Sequence, residues 1–103
     1  MEELNDKNFE ERIENGTTFV DFWAPWCGPC RMMAPNFEAA AEKFGGQAKF
    51  FKLNTDDNGD TAVSLGIAAI PTIIAFRDGA EIDRSVGFLT EEELSEFVEK
   101  HLA

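Results

Sequence analysis

The chain has no tyrosine, one histidine, two cysteines, and nine basic residues against twenty acidic ones. Each scarcity excludes something. A formal net charge of -11 repels a phosphate backbone and no basic patch interrupts the acid, so nucleic acid is excluded as a partner. No apolar run approaches the roughly 20 residues that a bilayer-spanning helix needs. The opening Met1-Glu2-Glu3-Leu4-Asn5 is acidic where a secretory leader is basic and then apolar. These absences lead to the expectation of a cytoplasmic protein that does not associate with membranes. Structural zinc needs four ligands, and beyond the two cysteines the chain offers only His101, in its last turn. Nothing resembles a nucleotide-binding loop either. The chain is therefore expected to bind no metal and no cofactor of its own.

What is present suffices for a core. A length of 103 residues with 44% hydrophobic content fits a single domain, residues 1-103, that folds without metal or structural disulfides. Ten phenylalanines supply bulk enough to fill two layers of core. A monomer is expected. Residues 52 to 103 carry eleven Asp/Glu against four Lys/Arg, and five of those acids lie between Glu91 and Glu99, where they read as the solvated face of a helix.

Along the chain, helical and strand patterns alternate with no linker or repeat. Asn5 suits an N-cap, with Leu4 stapled onto Phe9 and Ile13 one turn further along, and Asn15-Gly16 closes this first helix. Thr17 to Trp23 is β-branched and aromatic, and both of its faces are largely apolar, which marks a central strand covered on two sides. A long helix from about Pro29 to Phe44 buries Met33, Phe37, Ala40, Ala41 and Phe44, with a kink expected at Pro35. Residues 48 to 53 form the next strand, and Asp57-Asn58-Gly59-Asp60 leads into a short helix closed by Gly66. This β-α-β-α order predicts parallel strands and covering helices. The rest changes character. Thr72 to Phe76 and Glu81 to Val86 form a hairpin around Asp78-Gly79, the second arm an exposed edge. The last helix opens with a capping box, Thr90 and Glu93, and Leu89 staples onto Leu94. The fold class is thus α/β, a mixed sheet of about four main strands with helices on both faces, and any strand before the first helix must be very short.

The chemistry-bearing residues are Cys27 and Cys30, the only cysteines, in Trp26-Cys27-Gly28-Pro29-Cys30. The spacing alone leaves three readings open: half of a zinc site, a structural bridge, or a redox pair. Placement after a buried strand and at a helix start favours the last. A cysteine at the N-cap or in the first turn has its thiolate favoured by unpaired amides and the positive helix end, whereas one a turn deeper is shielded. Cys27 is accordingly expected to attack first and Cys30 to resolve the mixed disulfide. Gly28 permits a tight approach, and Pro29 suits an early helical position where its missing donor costs little. Trp26 is expected to shield the sulfur and shape a docking surface.

The stretch Val20-Asp21-Phe22-Trp23-Ala24-Pro25-Trp26-Cys27-Gly28-Pro29-Cys30-Arg31-Met32 resembles the active-site signature of the thioredoxin family. Lys52-Leu53-Asn54, Gly66-Ile67, Ile70-Pro71-Thr72, Asp78-Gly79 and Val86-Gly87 fall at matching spacings. The resemblance implies a thioredoxin-like fold and a protein-disulfide reductase that carries electrons by dithiol-disulfide exchange. It implies that Asp21 is the carboxylate exchanging a proton with Cys30, a role that suits an acid whose apolar strand raises its pKa. It implies further that Lys52 modulates Asp21, that Pro71 is cis and faces the disulfide, and that Pro35 kinks the long helix. Trp26, Ala69, Ile70, Val86, Gly87 and Phe88 resemble the family's substrate groove, where an extended segment pairs with backbone at Ile70. Implied partners are proteins with accessible disulfides and a reductase that itself holds NADPH and flavin.

The chain departs from the family pattern at four places. Phe88 is larger than the usual small residue, Pro25 replaces an acidic or polar one, Arg31 stands where lysine is common, and the short N-terminus reduces the family's first strand to Glu2 to Leu4. A function of another class also fits the fold: a protein-interaction or folding subunit whose redox activity is incidental.

Overall fold

In the computed structural model, residues 1-102 are described; Ala103, the last residue of the expected domain, lies outside them. The elements follow in the order β1 (Glu3–Leu4), α1 (Phe9–Ile13), β2 (Thr17–Trp23), α2 (Gly28–Phe44), β3 (Lys49–Asn54), α3 (Gly59–Ser64), β4 (Thr72–Arg77), β5 (Ala80–Val86) and α4 (Glu91–Glu99). They build a five-stranded sheet in the order β1-β3-β2-β4-β5. The expected β-α-β connection does give parallel pairing, with Thr18 opposite Lys49 and Asp21 opposite Lys52. The second half reverses direction: β4 runs antiparallel to β2, and β5 antiparallel to β4.

The central position of β2 follows from its composition. All five residues from Thr18 to Phe22 are buried, so a helical layer must cover each face. On one face Phe19, Ile73 and Ala75 pack under Met33, Phe37 and Ala40 of α2 and Leu94 and Val98 of α4. On the other, Val20, Phe22, Ile74 and Phe76 pack with Phe9 and Ile13 of α1, and Leu65 and Ile67 after α3 lie against them. Aromatic contacts supply much of the filling: Phe19 stacks on Phe50 at 5.3 Å, and Phe9 meets Phe76 edge-on at 5.5 Å.

The local signals act where they stand. The capping box is complete, with the Glu93 amide donating to Thr90 Oγ1 at 3.1 Å and the Thr90 amide to Glu93 Oε1 at 3.0 Å. Asp78 and Gly79, at φ 50° and 86°, form the turn between β4 and β5, and the pairing slips by one residue between Ala75 and Phe76. One expectation needs adjusting. Asn5 accepts hydrogen bonds from the Lys7 and Asn8 amides as a cap does, but the regular helix begins only at Phe9, so α1 has just five residues. Pro35 lies inside α2, which continues to Phe44 as expected.

Candidate active site

The end of β2 delivers the chain to the site. After Trp23 comes Ala24, fully buried, then the exposed Pro25 and Trp26, and then Cys27 as the N-cap of α2. Cys27 is extended (φ -87°, ψ 110°), so its side chain turns back over the first helical turn and its sulfur accepts the Cys30 N–H at 3.2 Å. Pro29 occupies the first turn, where no intrahelical partner for its nitrogen is needed. One turn separates the cysteines, their Cα atoms lie 5.2 Å apart, and the sulfurs are joined as a disulfide. The structure is therefore that of the oxidised form.

Burial of the pair differs from expectation. Cys27 is 5% exposed and Cys30 2%, so in the disulfide both are covered and the contrast between them is small. What distinguishes them is position: Cys27 caps the helix and its sulfur lies 3.9 Å from the Ile70 carbonyl oxygen, while Cys30 begins the buried stripe of α2. The cover also differs. Trp23, Ala24 and Ile70 pack on the cysteines, whereas Trp26 is 68% exposed and donates its indole N–H to the Asp56 carboxylate at 3.0 Å. Trp26 is thus tethered at the surface with most of its ring open to solvent. A Cβ at Gly28 would meet nothing nearer than the Arg31 guanidinium at 3.9 Å, so the fold itself does not demand glycine there. That guanidinium bonds to the Pro25 carbonyl oxygen at 2.9 Å.

Opposite the cysteines, the Ile70-Pro71 peptide is cis and Pro71 is buried. The Pro71 carbonyl accepts the Gly87 N–H at 2.7 Å, and Thr72 pairs with Val86, so the β4 start and the β5 end are held together. Ile70, which lies against the cysteines, is thereby tied through Pro71 and Thr72 to Val86 and Gly87, with Ala69 and Phe88 next to them in the chain. Val86 (60% exposed) and Phe88 (43%) present apolar surface there.

Asp21 lies beneath. It is fully buried, and neither carboxyl oxygen has a hydrogen-bond partner among the described residues. Strand alternation puts it on the Phe19 face of the sheet, the face covered by the α2 stripe that starts at Cys30. Burial pushes its pKa up, the nearby Lys52 ammonium pulls it partway back and the Glu3 carboxylate opposes Lys52, leaving it at about 7. Lys52 is Asp21's partner in the ladder, but its ammonium rests on the Trp23 ring, 4.6 Å from the centroid, and forms no ion pair with Asp21.

Three participants escape sequence reasoning: Asp56, Trp23 and Glu3. Asp56 was findable in principle, because parallel β2 and β3 end side by side and the segments after Trp23 and Asn54 are then neighbours. Glu3 and Trp23 meet only once β1 pairs with β3, where the indole N–H of Trp23 donates to Glu3 Oε1 at 3.1 Å.

The comparisons agree with this geometry. The Thioredoxin family model matches residues 1–100. Thioredoxin of Staphylococcus saprophyticus is 46% identical over 99 residues, covering 96% of this chain and 95% of that protein. Thioredoxin of Staphylococcus haemolyticus is equally similar over the same shares. Thioredoxin of Staphylococcus aureus is 44% identical, again over 96% of this chain and 95% of that protein. The likeness spans the sheet, both helical layers and the cysteine pair together, and so the chain belongs to the thioredoxin family, as a redox-active oxidoreductase that works by thiol-disulfide exchange at Cys27 and Cys30.

Proposed function

We propose that the chain, acting as one domain and as a monomer, reduces disulfides of partner proteins, with Cys27 as nucleophile, Cys30 as resolving thiol and Asp21 as proton acceptor. The observation that carries this reading is the helix N-cap position of Cys27 on the helix that covers the sheet face of a buried, unpaired carboxylate. In the reduced state, the Cys30 amide and the positive end of α2 favour the Cys27 thiolate. The thiolate attacks one sulfur of the substrate disulfide, forming a Cys27-substrate S–S bond and expelling the other substrate sulfur as a thiolate. The Cys30 thiol passes its proton to Asp21, and its thiolate attacks Cys27 Sγ, releasing the second substrate thiolate and closing Cys27-Cys30. Two electrons have moved to the substrate, and the protein is left in the state described above. With a pKa near 7, Asp21 is ionised often enough to accept the proton and protonated often enough to return it.

Lys52 tunes that carboxylate through space. Substrate backbone pairs beside the cis-proline turn, at Ile70, while Trp26, Ala69, Val86, Gly87 and Phe88 supply apolar contact around it. Gly28, without a side chain, lets a substrate approach Cys27 closely, and the early Pro29 shapes the helix start. Return to the dithiol draws electrons from a reductase of the thioredoxin-reductase kind, which binds the NADPH and flavin. The cytoplasm, where thiols are kept reduced, suits this direction of electron flow.

Insulin-disulfide reduction with a reductase system tests the reading, comparing the parent with Cys27→Ser and Cys30→Ser. Loss of turnover in both, with a covalent substrate adduct accumulating only in Cys30→Ser, is expected. Equal turnover in all three would instead favour a docking or folding subunit built on the exposed Trp26, Val86 and Phe88.

A further inference from the structure

The strand register lines up three charged residues across the sheet. Glu3 of β1 pairs with Lys52 of β3, and Lys52 pairs with Asp21 of β2. Residues directly opposite in a ladder share a face, so acid, base and acid form one row that ends in the buried carboxyl. Trp23, two residues beyond Asp21 and hence on that same face, ties the row together. Its ring carries the Lys52 ammonium at 4.6 Å, and its N–H is held by Glu3 at 3.1 Å. Glu3 is exposed, Trp23 and Lys52 are half-buried and Asp21 is fully buried, so the row runs from solvent into the core.

We infer that Glu3 is a positioning residue of the redox site: it pins the Trp23 indole on which Lys52 rests and offsets part of the Lys52 charge, so that the N-terminal strand governs proton exchange between Asp21 and Cys30. This rests on the proton-acceptor reading of Asp21 given above. The neighbouring elements add no further charge on this face. Lys52 of β3 stands opposite Asp21, with Glu3 of β1 one strand beyond; β4 places the uncharged Ile73 opposite it, and the buried stripe of α2 that covers this face, Cys30, Met33, Phe37, Ala40 and Phe44, carries none. Lys52 and Glu3 are the charges whose fields act on Asp21, with opposite signs. An exposed acid that merely stabilised an edge strand would have no reason to hold the indole that carries the one cation in the row.

Carbon-detected NMR titration of the Asp21 carboxyl in the oxidised parent, Glu3→Gln and Glu3→Ala tests this. Glutamine keeps an oxygen for the Trp23 N–H and removes the charge; alanine removes both. Two unit charges two strand spacings apart, about 10 Å, interact enough to move a midpoint by about 0.3 units in water-like screening and about 1.3 nearer the protein interior. Because a negative neighbour is lost, the Glu3→Gln midpoint falls by about 0.3 units or more. Glu3→Ala falls further, since Lys52 is freed from its plate and drawn toward the carboxylate. Midpoints within about 0.1 units of the parent in both variants overturn the inference, as do equal shifts in the two, which would leave Glu3 a bare charge with no positioning role. The pH-rate profile of Asp21→Asn separates the two levels. If it is displaced from the parent's while the Glu3 variants do not move, only this inference fails; if it overlays the parent's, the proton-acceptor reading fails with it.

Discussion

Replacing Asp21 with asparagine should raise the stability of the oxidised protein relative to the parent's as pH climbs from about 4 to about 7, and should leave the difference constant outside that window. The carboxyl has a pKa of 3.8 in an ordinary setting and about 7 in the fold, with burial as the largest cause. An acid raised in this way keeps its proton in the folded protein over a range where the unfolded chain has released it. The unfolded state then binds fewer protons, so stability falls as pH climbs through that window. The interval between the two values corresponds to about 4 kcal/mol, reached at about 1.4 kcal/mol per pH unit and complete above pH 7. Asparagine does not titrate. Its constant cost, an amide in a site without hydrogen-bond partners, cancels when the difference between variant and parent is followed against pH, and so do the contributions of the other carboxylates. Guanidinium unfolding of both oxidised proteins between pH 3.5 and 8.5 measures that difference. The expected curve is level below pH 4, rises in favour of Asp21→Asn between pH 4 and 7, and levels off about 4 kcal/mol higher. A difference that stays flat across the range, or that levels off by pH 5, would refute the claim that the fold holds this carboxyl protonated.

Three further outcomes follow from packing and local geometry. Phe37→Ala, at a fully buried position between α2 and the sheet, should cost about 3–5 kcal/mol in denaturant unfolding. Thr90→Ala removes the acceptor from the capping box of α4 and should cost about 1 kcal/mol, and Glu93→Gln, which retains an acceptor for the Thr90 amide, should cost less. Gly79→Ala places a Cβ at φ 86° in the β4-β5 turn and should cost about 1–2 kcal/mol, read as a lowered melting temperature with disulfide-reduction rates unchanged.

Legibility in the sequence follows the range of the interaction responsible. The doubly apolar Thr17 to Trp23, the Thr90 and Glu93 box and the Asp78-Gly79 turn each act within a few residues, and each appears in the fold as read. The first helix was less well marked, because Asn5 caps a turn that only becomes regular helix at Phe9. Among the candidate site residues, the cysteines and the Ile70-Pro71 segment converge as expected. Trp26 is set by a more distant partner: a carboxylate thirty residues away, Asp56, holds its indole at the surface, and a sequence does not display that partner until β2 and β3 are paired.

From the sequence alone come two sulfurs one helical turn apart, a strongly acidic chain, and an aspartate set in an apolar strand. These are properties of composition and short spacing; with the placement of the pair at a helix start they favour redox exchange over a zinc site or a structural bridge. The tertiary structure alone decides how that chemistry is adjusted. Parallel pairing of β1, β3 and β2 sets Glu3, Lys52 and Asp21 in one row, the packing of α2 strips water from Asp21, and the cis-proline turn brings the Ile70 carbonyl to the Cys27 sulfur. Register and burial arise from contacts between residues far apart in the chain, each decided by packing summed over the whole domain, and no local pattern carries that sum.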